Sequence, residues 1–368
     1  MEVIMRIIFT GGGTAGHIHP AIAIADRLMK MDKKCEILFI GRKDGKENGI
    51  IRERGYKLKE IDVEGLKRKV TPKNLKVIQK AISGRKSAAE IIKDFEPDIV
   101  FGTGGYVSLP VLSAARSLKI KTAIHESNAY AGLTTRIAAR GCELVFLGFG
   151  EAKKKIKSKG KILVSGNPVR EDFYKLNRAS ARRILGLKDN EKLIVSFGGS
   201  LGAEKINDTV CKCMQDNELG KENLMHLHAV GRASYDIYKS KYPELAENKA
   251  RIKIVDYIND TPLYLLAADL AITRSGAITV SELKVAATPS ILIPSPNVTA
   301  NHQLKNAKVL ERTDGATVIE EKDLNPKLLS EKIEKCLNET KNKLNRKTPP
   351  RLTPTDAICL ELIKSVET

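Results

Sequence analysis

The sequence predicts an α/β protein with two doubly wound domains, each built on a parallel β-sheet that is covered by helices on both faces. Nine short apolar runs recur along the chain, each followed by a turn and a helical pattern. Such runs are typical of parallel strands that are buried on both faces. The chain has 368 residues, 42% of them hydrophobic, which is enough for two domains that each bury a core.

Five of these runs lie in the first half of the chain and four in the second. They are RIIFTG, EILFIG, DIVFGTGG, KTAIHE and ELVFLG, followed by KLIVSFGG, LMHLHAVG, DLAITRSG and SILIP. The segment 164–173 separates the halves, because its Gly166 and Pro168 are turn formers. We therefore expect a first domain over residues 1–165, a second over 166–345, and a linker with a helix over 346–368 that packs back on the first domain.

The charge balance predicts an anionic partner. The chain carries 63 Lys and Arg against 44 Asp and Glu, a net charge of +19, which suits a nucleic acid, a phosphorylated ligand or an anionic membrane surface. Nucleic acid is not expected, because the basic segment 66–86 has no aromatic residue and no nucleic-acid motif occurs in the chain.

The segment 66–86 itself favours contact with anionic lipid headgroups. It has eight basic and no acidic residues, interleaved with Leu75, Val77, Ile78 and Ile82. A solvated basic helix over the core is the alternative. No apolar run approaches the roughly 20 residues that cross a bilayer, and the N-terminus lacks the features of a signal peptide. We therefore expect no export, and a peripheral contact with the membrane.

Three glycine-rich turns follow apolar runs, over residues 11–16, 102–105 and 198–202. Glycine lets the backbone approach an anion closely, and the following helix presents unpaired amides. The first turn has the Gly-x-Gly-x-x-Gly spacing of a dinucleotide site, but the next strand ends in Arg42, where a nicotinamide site needs a carboxylate. An arginine there suits a 2′-phosphate, so an NADP site remains an alternative. His17, directly after the last glycine, favours proton transfer instead.

A different pattern in the second half indicates a nucleotide-sugar site. In the segment 274–283, RSGAITVSEL, small residues open a helix that contains Glu282. The amides at the helix start can bind a phosphate, and the carboxylate can accept hydrogen bonds from both ribose hydroxyls.

Seven sequence motifs follow one another between residues 5 and 320. They are GGGTAGHIHPAIAIA, GTGGYVSLP, HESNAYAG, GNPVR, GGSLGAEKIN, RSGAITVSEL and PSPNVTANHQLKNA. Together they resemble the MurG family of glycosyltransferases, which transfer N-acetylglucosamine (GlcNAc) from UDP-GlcNAc to lipid I and form lipid II in peptidoglycan biosynthesis. The resemblance implies the GT-B arrangement, with two Rossmann-like domains facing across a cleft. It implies no cofactor and a place at the cytoplasmic face of the bacterial cell membrane. A related glycolipid glycosyltransferase is the alternative.

The resemblance also implies the residues that bind each substrate. UDP-GlcNAc is expected at Thr14, Ala15, Gly16, Asn128, Arg170, Ser200, Ile258, Ala277, Ile278, Thr279, Val280, Ser281, Glu282 and Gln303. The pyrophosphate of lipid I is expected at Gly13, Gly104, Gly105 and Tyr106. Ser200 suits a phosphate oxygen, Ile258 the uracil through its backbone, and Gln303 the sugar hydroxyls. Leu201 stands where the family has a glutamine, which removes an amide donor from this loop.

The reaction expected is an inverting transfer in one displacement. A base removes the proton of the muramyl 4-hydroxyl as its oxygen attacks the anomeric carbon, which gives a β-1,4 linkage. His17 is the first choice for this base and Glu126 the second. Helix-start amides and Arg274 or Arg170 are expected to meet the charge of the departing UDP. Because the chain has no Asp-x-Asp pair, no metal held through such a pair is expected.

Overall fold

The structure, a computed structural model, describes residues 4–13, 15–65, 73–199, 202–216, 223–247, 251–339 and 352–367. The chain divides into two compact units. The first unit is Met1–Val169 together with Pro350–Thr368, and the second unit is Arg170–Pro349. The division between Val169 and Arg170 lies a few residues after the predicted boundary at 165/166.

The first unit is built on a seven-stranded parallel sheet. In chain order its strands are β1 Arg6–Thr10, β2 Glu36–Arg42, β3 Lys57–Ile61, β4 Ile99–Gly102, β5 Lys121–Glu126, β6 Leu144–Leu147 and β7 Lys161–Val164. Their spatial order is β3-β2-β1-β4-β5-β6-β7. In the register at the centre, Ile8 of β1 lies opposite Leu38 of β2 on one side and Val100 of β4 on the other.

Helices cover both faces of this sheet. They are α1 Ala15–Met31, α2 Asn48–Glu53, α3 Lys73–Phe95, α4 Ser108–Ser117 and α5 Leu133–Ala138, with 3₁₀ turns at Ala139–Gly141 and Gly150–Lys155. Successive residues of a strand point to opposite faces. Accordingly, Ile7 and Phe9 of β1 pack in one apolar core and Ile8 packs in the other, all three with no exposed surface. The near-continuous apolar runs in the sequence follow from this double burial.

The second unit repeats the design with six parallel strands. They are β8 Lys192–Phe197, β9 Leu224–Ala229, β10 Ile252–Val255, β11 Leu270–Thr273, β12 Ser290–Leu292 and β13 Thr317–Val318. The spatial order, β10-β9-β8-β11-β12-β13, is the strand order of a Rossmann sheet. The predicted class of two doubly wound Rossmann-like domains is therefore confirmed.

The helices of the second unit alternate with its strands. They are α6 Asp172–Lys175, α7 Arg178–Ile184, α8 Glu204–Gln215, α9 Tyr235–Lys241, α10 Thr261–Ala267, α11 Ala277–Ala286, α12 His302–Asp314 and α13 Pro326–Glu339, with 3₁₀ turns at Arg232–Ser234, Pro243–Ala246 and Thr299–Asn301.

A buried carboxylate ties helix α7 to the second sheet. Asp269, which precedes β11, is 1% exposed and lies 3.0 Å from Arg178, 3.2 Å from Arg182 and 3.0 Å from Lys192. Its Oδ2 also accepts the backbone N–H of Leu193 at 2.9 Å. A buried carboxylate needs such partners, so this cluster accounts for the charge within the apolar run LYLLAADLAIT.

The last helix, α14 Pro354–Glu367, packs against α1 of the first unit. Ile358, Cys359 and Leu362 enter the core that contains Ile7 and Phe9. Arg27 of α1 pairs with Asp356 at 2.5 Å. Residues 340–351 of the preceding linker lie outside the described residues.

The basic segment 66–86 is described only in part. Residues 66–72 lie outside the described residues, and the remainder opens α3. Within α3, Ile82 is 57% exposed and Val77 is buried. Lys80 is paired with Asp62 at 3.1 Å and with Glu64 at 2.5 Å, so its charge is partly neutralised. No helix among the described residues is long and apolar enough to cross a membrane.

Candidate functional sites

Each unit has a candidate site at the carboxyl edge of its sheet, where the strand order reverses. This switch point lies between β1 and β4 in the first unit and between β8 and β11 in the second. Ligands of open α/β sheets bind in the crevice outside the strands at such points. All three predicted glycine turns leave these strands, at β1, β4 and β8.

The two glycine turns of the first unit touch each other through their backbones. A Cβ atom placed on Gly105, where φ is +77°, would lie 2.0 Å from the carbonyl oxygen of Gly12. A Cβ on Gly11 would lie 2.2 Å from Oγ1 of Thr103. Only glycine permits this approach, so the two turns form one surface. Gly13, Gly104 and Gly105, predicted for the acceptor pyrophosphate, lie on it.

His17 lies beside this surface, next to Thr103 and Gly104. It lies in the first turn of α1, is half-buried, and its Nδ1 is 3.0 Å from the carbonyl oxygen of Thr103. Because a carbonyl oxygen only accepts hydrogen bonds, this contact assigns the proton of the neutral ring to Nδ1. Nε2 then carries the lone pair that a general base needs. Gly16 precedes His17 in α1, whereas Thr14 lies outside the described residues, as does the side chain of Ala15.

Glu126, the second predicted base, instead organises a loop. It ends β5 and is 3% exposed. Its Oε1 accepts the backbone N–H and the side-chain Nδ2–H of Asn128 at 3.0 and 3.1 Å, and its Oε2 accepts the N–H of Gly132 at 2.9 Å. Through these three hydrogen bonds Glu126 orients Asn128 and the loop that leads to Gly132.

The residue before it, His125, was missed by the sequence analysis. It is fully buried, with Nε2 3.3 Å from the carbonyl oxygen of Gly166, and burial lowers the pKa of this imidazole to about 4. His125 is therefore a neutral structural residue at physiological pH. The two residues in this contact lie 41 positions apart, so no local sequence pattern indicates this role.

Tyr106 packs against the first glycine turn of this unit. Its ring is packed so closely that a Cβ on Gly13 would lie 2.9 Å from Cε1 and a Cβ on Gly65 3.0 Å from Cδ1. Burial raises the pKa of its hydroxyl, which therefore stays protonated and can donate a hydrogen bond. The amide of Gly13 is not available in the way the sequence suggested, because it donates to Oε1 of Glu47 at 2.6 Å.

In the second unit, the turn after β8 approaches β9. A Cβ on Gly202, where φ is +77°, would lie 2.3 Å from the carbonyl oxygen of Val230. Gly198 and Gly199 open this turn, and Ser200 and Leu201 lie outside the described residues. Helix α8 begins directly after the turn, at Glu204.

Glu282 is the most perturbed acid of the second site. It lies in α11, is 9% exposed, and burial raises the pKa of its carboxyl to about 7. The Arg170 guanidinium, with Nε 3.7 Å from Oε1, acts in the opposite direction. A buried acid with a raised pKa at a switch point is a candidate functional residue, and a carboxylate there can accept hydrogen bonds from hydroxyl groups.

The helix that carries Glu282 starts on a fixed support. Gly276 is its N-cap, and Ala277, Val280, Ser281 and Glu282 are buried within it, while Ile278 and Thr279 are half-buried. Ser275 is fully buried; its hydroxyl donates to the carbonyl oxygen of Gln303 at 2.9 Å. Asn306 donates to the carbonyl oxygen of Ser275 at 3.2 Å. These contacts hold the segment before α11 against helix α12.

Gln303 and Ile258 are two further residues predicted to contact UDP-GlcNAc. The side-chain Oε1 of Gln303 accepts the N–H of Ser295 at 2.9 Å, which orients the amide. Among the described residues, its Nε2 makes no hydrogen bond and can therefore serve a sugar hydroxyl. Ile258 is 5% exposed, and its carbonyl oxygen accepts from Thr261 at 3.1 Å. This bond fixes the loop after β10.

Of the two arginines considered for the departing UDP, Arg170 is the more suitable. Arg274 is 16% exposed, contacts Glu321, and donates to the carbonyl oxygen of Ile293 at 3.2 Å. Arg170 is 40% exposed, and its guanidinium carbon lies 5.8 Å from the ring centre of Phe173. The guanidinium of Arg274 is thus occupied by contacts within the protein, whereas the side chain of Arg170 is partly accessible to a ligand.

Comparison with known proteins identifies the family of this chain. The model of the glycosyltransferase family 28 N-terminal domain matches residues 7–147, and that of the C-terminal domain matches residues 193–357. A UDP-N-acetylglucosamine--N-acetylmuramyl-(pentapeptide) pyrophosphoryl-undecaprenol N-acetylglucosamine transferase of Caldicellulosiruptor saccharolyticus is 43% identical over 90% of this chain and 89% of its own. The transferase of the same name from Acetivibrio thermocellus is 43% identical over 93% of this chain and 92% of its own.

A solved structure supports the same assignment. The crystal structure of Acinetobacter baumannii MurG covers 98% of this chain and 99% of its own, with a TM-score of 0.77 at 26% identity. None of these comparisons favours the NADP-dependent alternative. Both domain models match in order and together span most of the residues. The chain belongs to glycosyltransferase family 28, among the N-acetylglucosamine transferases of the MurG group.

Proposed function

We propose that this chain transfers GlcNAc from UDP-GlcNAc to the muramyl 4-hydroxyl of lipid I and so forms lipid II in peptidoglycan biosynthesis. The observation that carries the proposal is the 43% identity over 90% of the chain to a transferase named for this donor and this acceptor. The architecture of the two switch points is consistent with it, since each unit has a glycine turn there and the buried Glu282 of the second unit lies in the helix that follows β11.

In the proposed donor site, Glu282 accepts hydrogen bonds from the ribose hydroxyls and the first amides of α11 face the diphosphate. Gln303, oriented by Ser295, donates to a hydroxyl of the sugar, and the backbone of Ile258 contacts the uracil. Thr14, Ala15, Gly16 and Asn128 are proposed to contact the donor from the first unit, and Ser200 to bind a phosphate oxygen.

In the proposed reaction, Nε2 of His17 takes the proton of the acceptor 4-hydroxyl as the oxygen attacks the anomeric carbon. The bond from that carbon to the UDP oxygen breaks, and UDP leaves with the electron pair. The carbon is inverted, so an α-linked donor gives a β-1,4 product. Amides of α11 and Arg170 stabilise the negative charge that develops on UDP. Glu126 supports the site by holding Asn128.

Radiolabel transfer tests the proposal. Labelled UDP-GlcNAc is offered with a lipid I analogue, with UDP-glucose as the competing donor and diacylglycerol as the competing acceptor. Selective labelling of the lipid I analogue is expected. Labelling of diacylglycerol instead would contradict the proposed acceptor and leave a glycolipid glycosyltransferase. UDP-GlcNAc binding without any transfer would contradict the activity altogether.

We further propose a peripheral position at the cytoplasmic face of the cell membrane, where lipid I is reached. Helix α3 supports this, because Ile82 is exposed beside basic residues, each of which adds about 1 kcal/mol near an anionic surface. Sedimentation with anionic and neutral vesicles at low salt tests it. Ile82→Ser is expected to lower binding to anionic vesicles. Ile237→Ser, which changes a 66% exposed isoleucine of the second unit, is the control. Equal binding of the wild type to both vesicles would contradict the proposal.

A further inference from the structure

Arg42 is a charged residue to which the proposed reaction gives no role. It ends β2, at the position where a dinucleotide site would hold a ribose. Its Nε lies 4.0 Å from Oε1 of Glu47, the same oxygen that accepts the N–H of Gly13. The ring of Tyr106 packs against Gly13. Arg42 therefore stands at the edge of the glycine turn of the first unit, beside the proposed acceptor site.

Glu47 fixes the glycine turn from a rigid support. It is the N-cap residue of α2, yet its side chain makes no hydrogen bond to its own helix. Instead it is 7% exposed and accepts the Gly13 N–H at 2.6 Å. Helix α2 is held in place by Asn48, whose Nδ2 donates to the carbonyl oxygen of Arg42 at 2.8 Å and to Glu60 at 2.9 Å. A diphosphate that arrives at this turn thus finds the Gly13 amide already engaged and needs another donor.

The guanidinium of Arg42 can supply that donor. At 4.0 Å its Nε is too far from Glu47 for a hydrogen bond, and this buried nitrogen has no hydrogen-bond partner among the described residues. The side chain as a whole is 32% exposed. The hydrogen bond of Glu47 goes to the Gly13 N–H. The planar guanidinium fork matches two oxygens of a phosphate.

We propose that Arg42 binds the diphosphate of the lipid acceptor, and that Glu47 is the positioning residue that fixes the glycine turn beneath it. The inference rests on the proposed function, since it names a binding residue for the same acceptor. The diphosphate then lies against Arg42 and Tyr106 instead of the Gly13 amide.

Steady-state kinetics with a lipid I analogue and UDP-GlcNAc test the role of Arg42. Arg42→Gln is expected to raise the KM for the acceptor about tenfold, the scale of one lost charge-assisted interaction, and to leave the KM for UDP-GlcNAc within about twofold. Arg42→Lys, which keeps the charge and loses the fork, is expected to fall between. Arg52→Gln is the matched control, because Arg52 lies on the nearby α2, is 60% exposed and pairs with Glu60. It is expected to change neither constant.

Glu47 is tested by separating its hydrogen bond from its charge. Glu47→Gln can still accept the Gly13 N–H and is expected to keep an acceptor KM near that of the wild type. Glu47→Leu cannot, and is expected to raise the acceptor KM while the donor KM stays unchanged. If Glu47→Gln is as impaired as Glu47→Leu, the positioning role is wrong. Melting temperatures of both variants identify any loss of folding.

The outcomes separate this inference from the proposed function. If the wild type does not glycosylate the lipid I analogue, the proposed function fails first. If the wild type does so and Arg42→Gln has an unchanged acceptor KM, the inference about Arg42 is overturned. An equal effect of Arg42→Gln and Arg52→Gln would also overturn it, because the effect would then reflect general surface charge.

Discussion

The affinity of the second site for UDP-GlcNAc should depend on pH through Glu282. Burial raises the pKa of this carboxyl to about 7, and the ionised form presents both oxygens as acceptors to the ribose hydroxyls, whereas protonation turns one of them into a donor. About nine-tenths of the groups are ionised one unit above that pKa and about one-tenth one unit below it. The dissociation constant is therefore expected to rise about tenfold between pH 8 and pH 6.

Isothermal titration with UDP-GlcNAc in the absence of acceptor measures this effect, because no turnover occurs and neither phosphate of this diester titrates in the range. Glu282→Gln keeps the size of the side chain and removes the ionisation. We expect its affinity to be about tenfold weaker than that of the wild type at pH 8 and independent of pH. A wild-type affinity that does not change with pH, or an equal pH dependence in Glu282→Gln, would refute the reasoning.

The same substitution should stabilise the fold. An acid whose pKa is raised on folding contributes stability that is present below its unfolded pKa, and this contribution is lost as the pH rises through the folded pKa. The pKa of Glu282 rises from 4.5 to about 7 on folding, so this stability is lost between about pH 4.5 and pH 7. The free energy of unfolding is thereby lowered by roughly 3 kcal/mol at pH 8. Glu282→Gln is therefore expected to unfold at a higher urea concentration than the wild type at pH 8, and the advantage should fade toward pH 5. An unchanged or lower midpoint at pH 8 would contradict this.

Three further predictions follow from the geometry. His17→Gln should lower kcat by about 10² to 10⁴ with UDP-GlcNAc affinity intact; near-full turnover would exclude His17 as the base. Gly105→Ala should destabilise the protein by roughly 3 kcal/mol, because a positive φ costs about 1–2 kcal/mol and the new Cβ meets backbone at 2.0 Å. Gly55 has a φ of +78° but open space around it. Gly55→Ala should therefore cost only the roughly 1–2 kcal/mol of the positive φ, and urea unfolding measures both variants. Burial lowers the pKa of His226 to about 3 and of His228 to about 4, so each should contribute stability above pH 6.5 that falls by about 2 kcal/mol at pH 5. Replacing both by glutamine should flatten this pH dependence of unfolding, and an unchanged slope would contradict it.

The central strands of both sheets can be predicted from the sequence, and the outer strands cannot. β3, β7, β10 and β13 are absent from the predicted runs, and these four are the outer strands of the two sheets. A central parallel strand is buried on both faces and reads as a continuous apolar run. An edge strand keeps exposed positions, as in KLKEI of β3, and its sequence does not differ from that of a loop.

Site residues could be predicted from the sequence where the residues that form the pattern lie close together along the chain. Glycines that end a strand and an acid in the helix after DLAIT are visible in short segments, and the fold brings them to the switch points. The contact of Glu47 with Gly13 joins residues 34 positions apart, and Arg274 is engaged by Glu321 from a distant loop. Such pairings depend on the tertiary arrangement, so the sequence alone assigned to Gly13 and Arg274 roles that their partners restrict.

The linkage of the product tests the central claim most directly. Nuclear magnetic resonance of the glycolipid isolated after reaction with UDP-GlcNAc and a lipid I analogue identifies the anomeric configuration and the substituted hydroxyl. We predict a β-linked GlcNAc on the muramyl 4-oxygen, formed by wild type and strongly reduced with His17→Gln. An α linkage, substitution at another hydroxyl, or release of free GlcNAc alone would contradict the account.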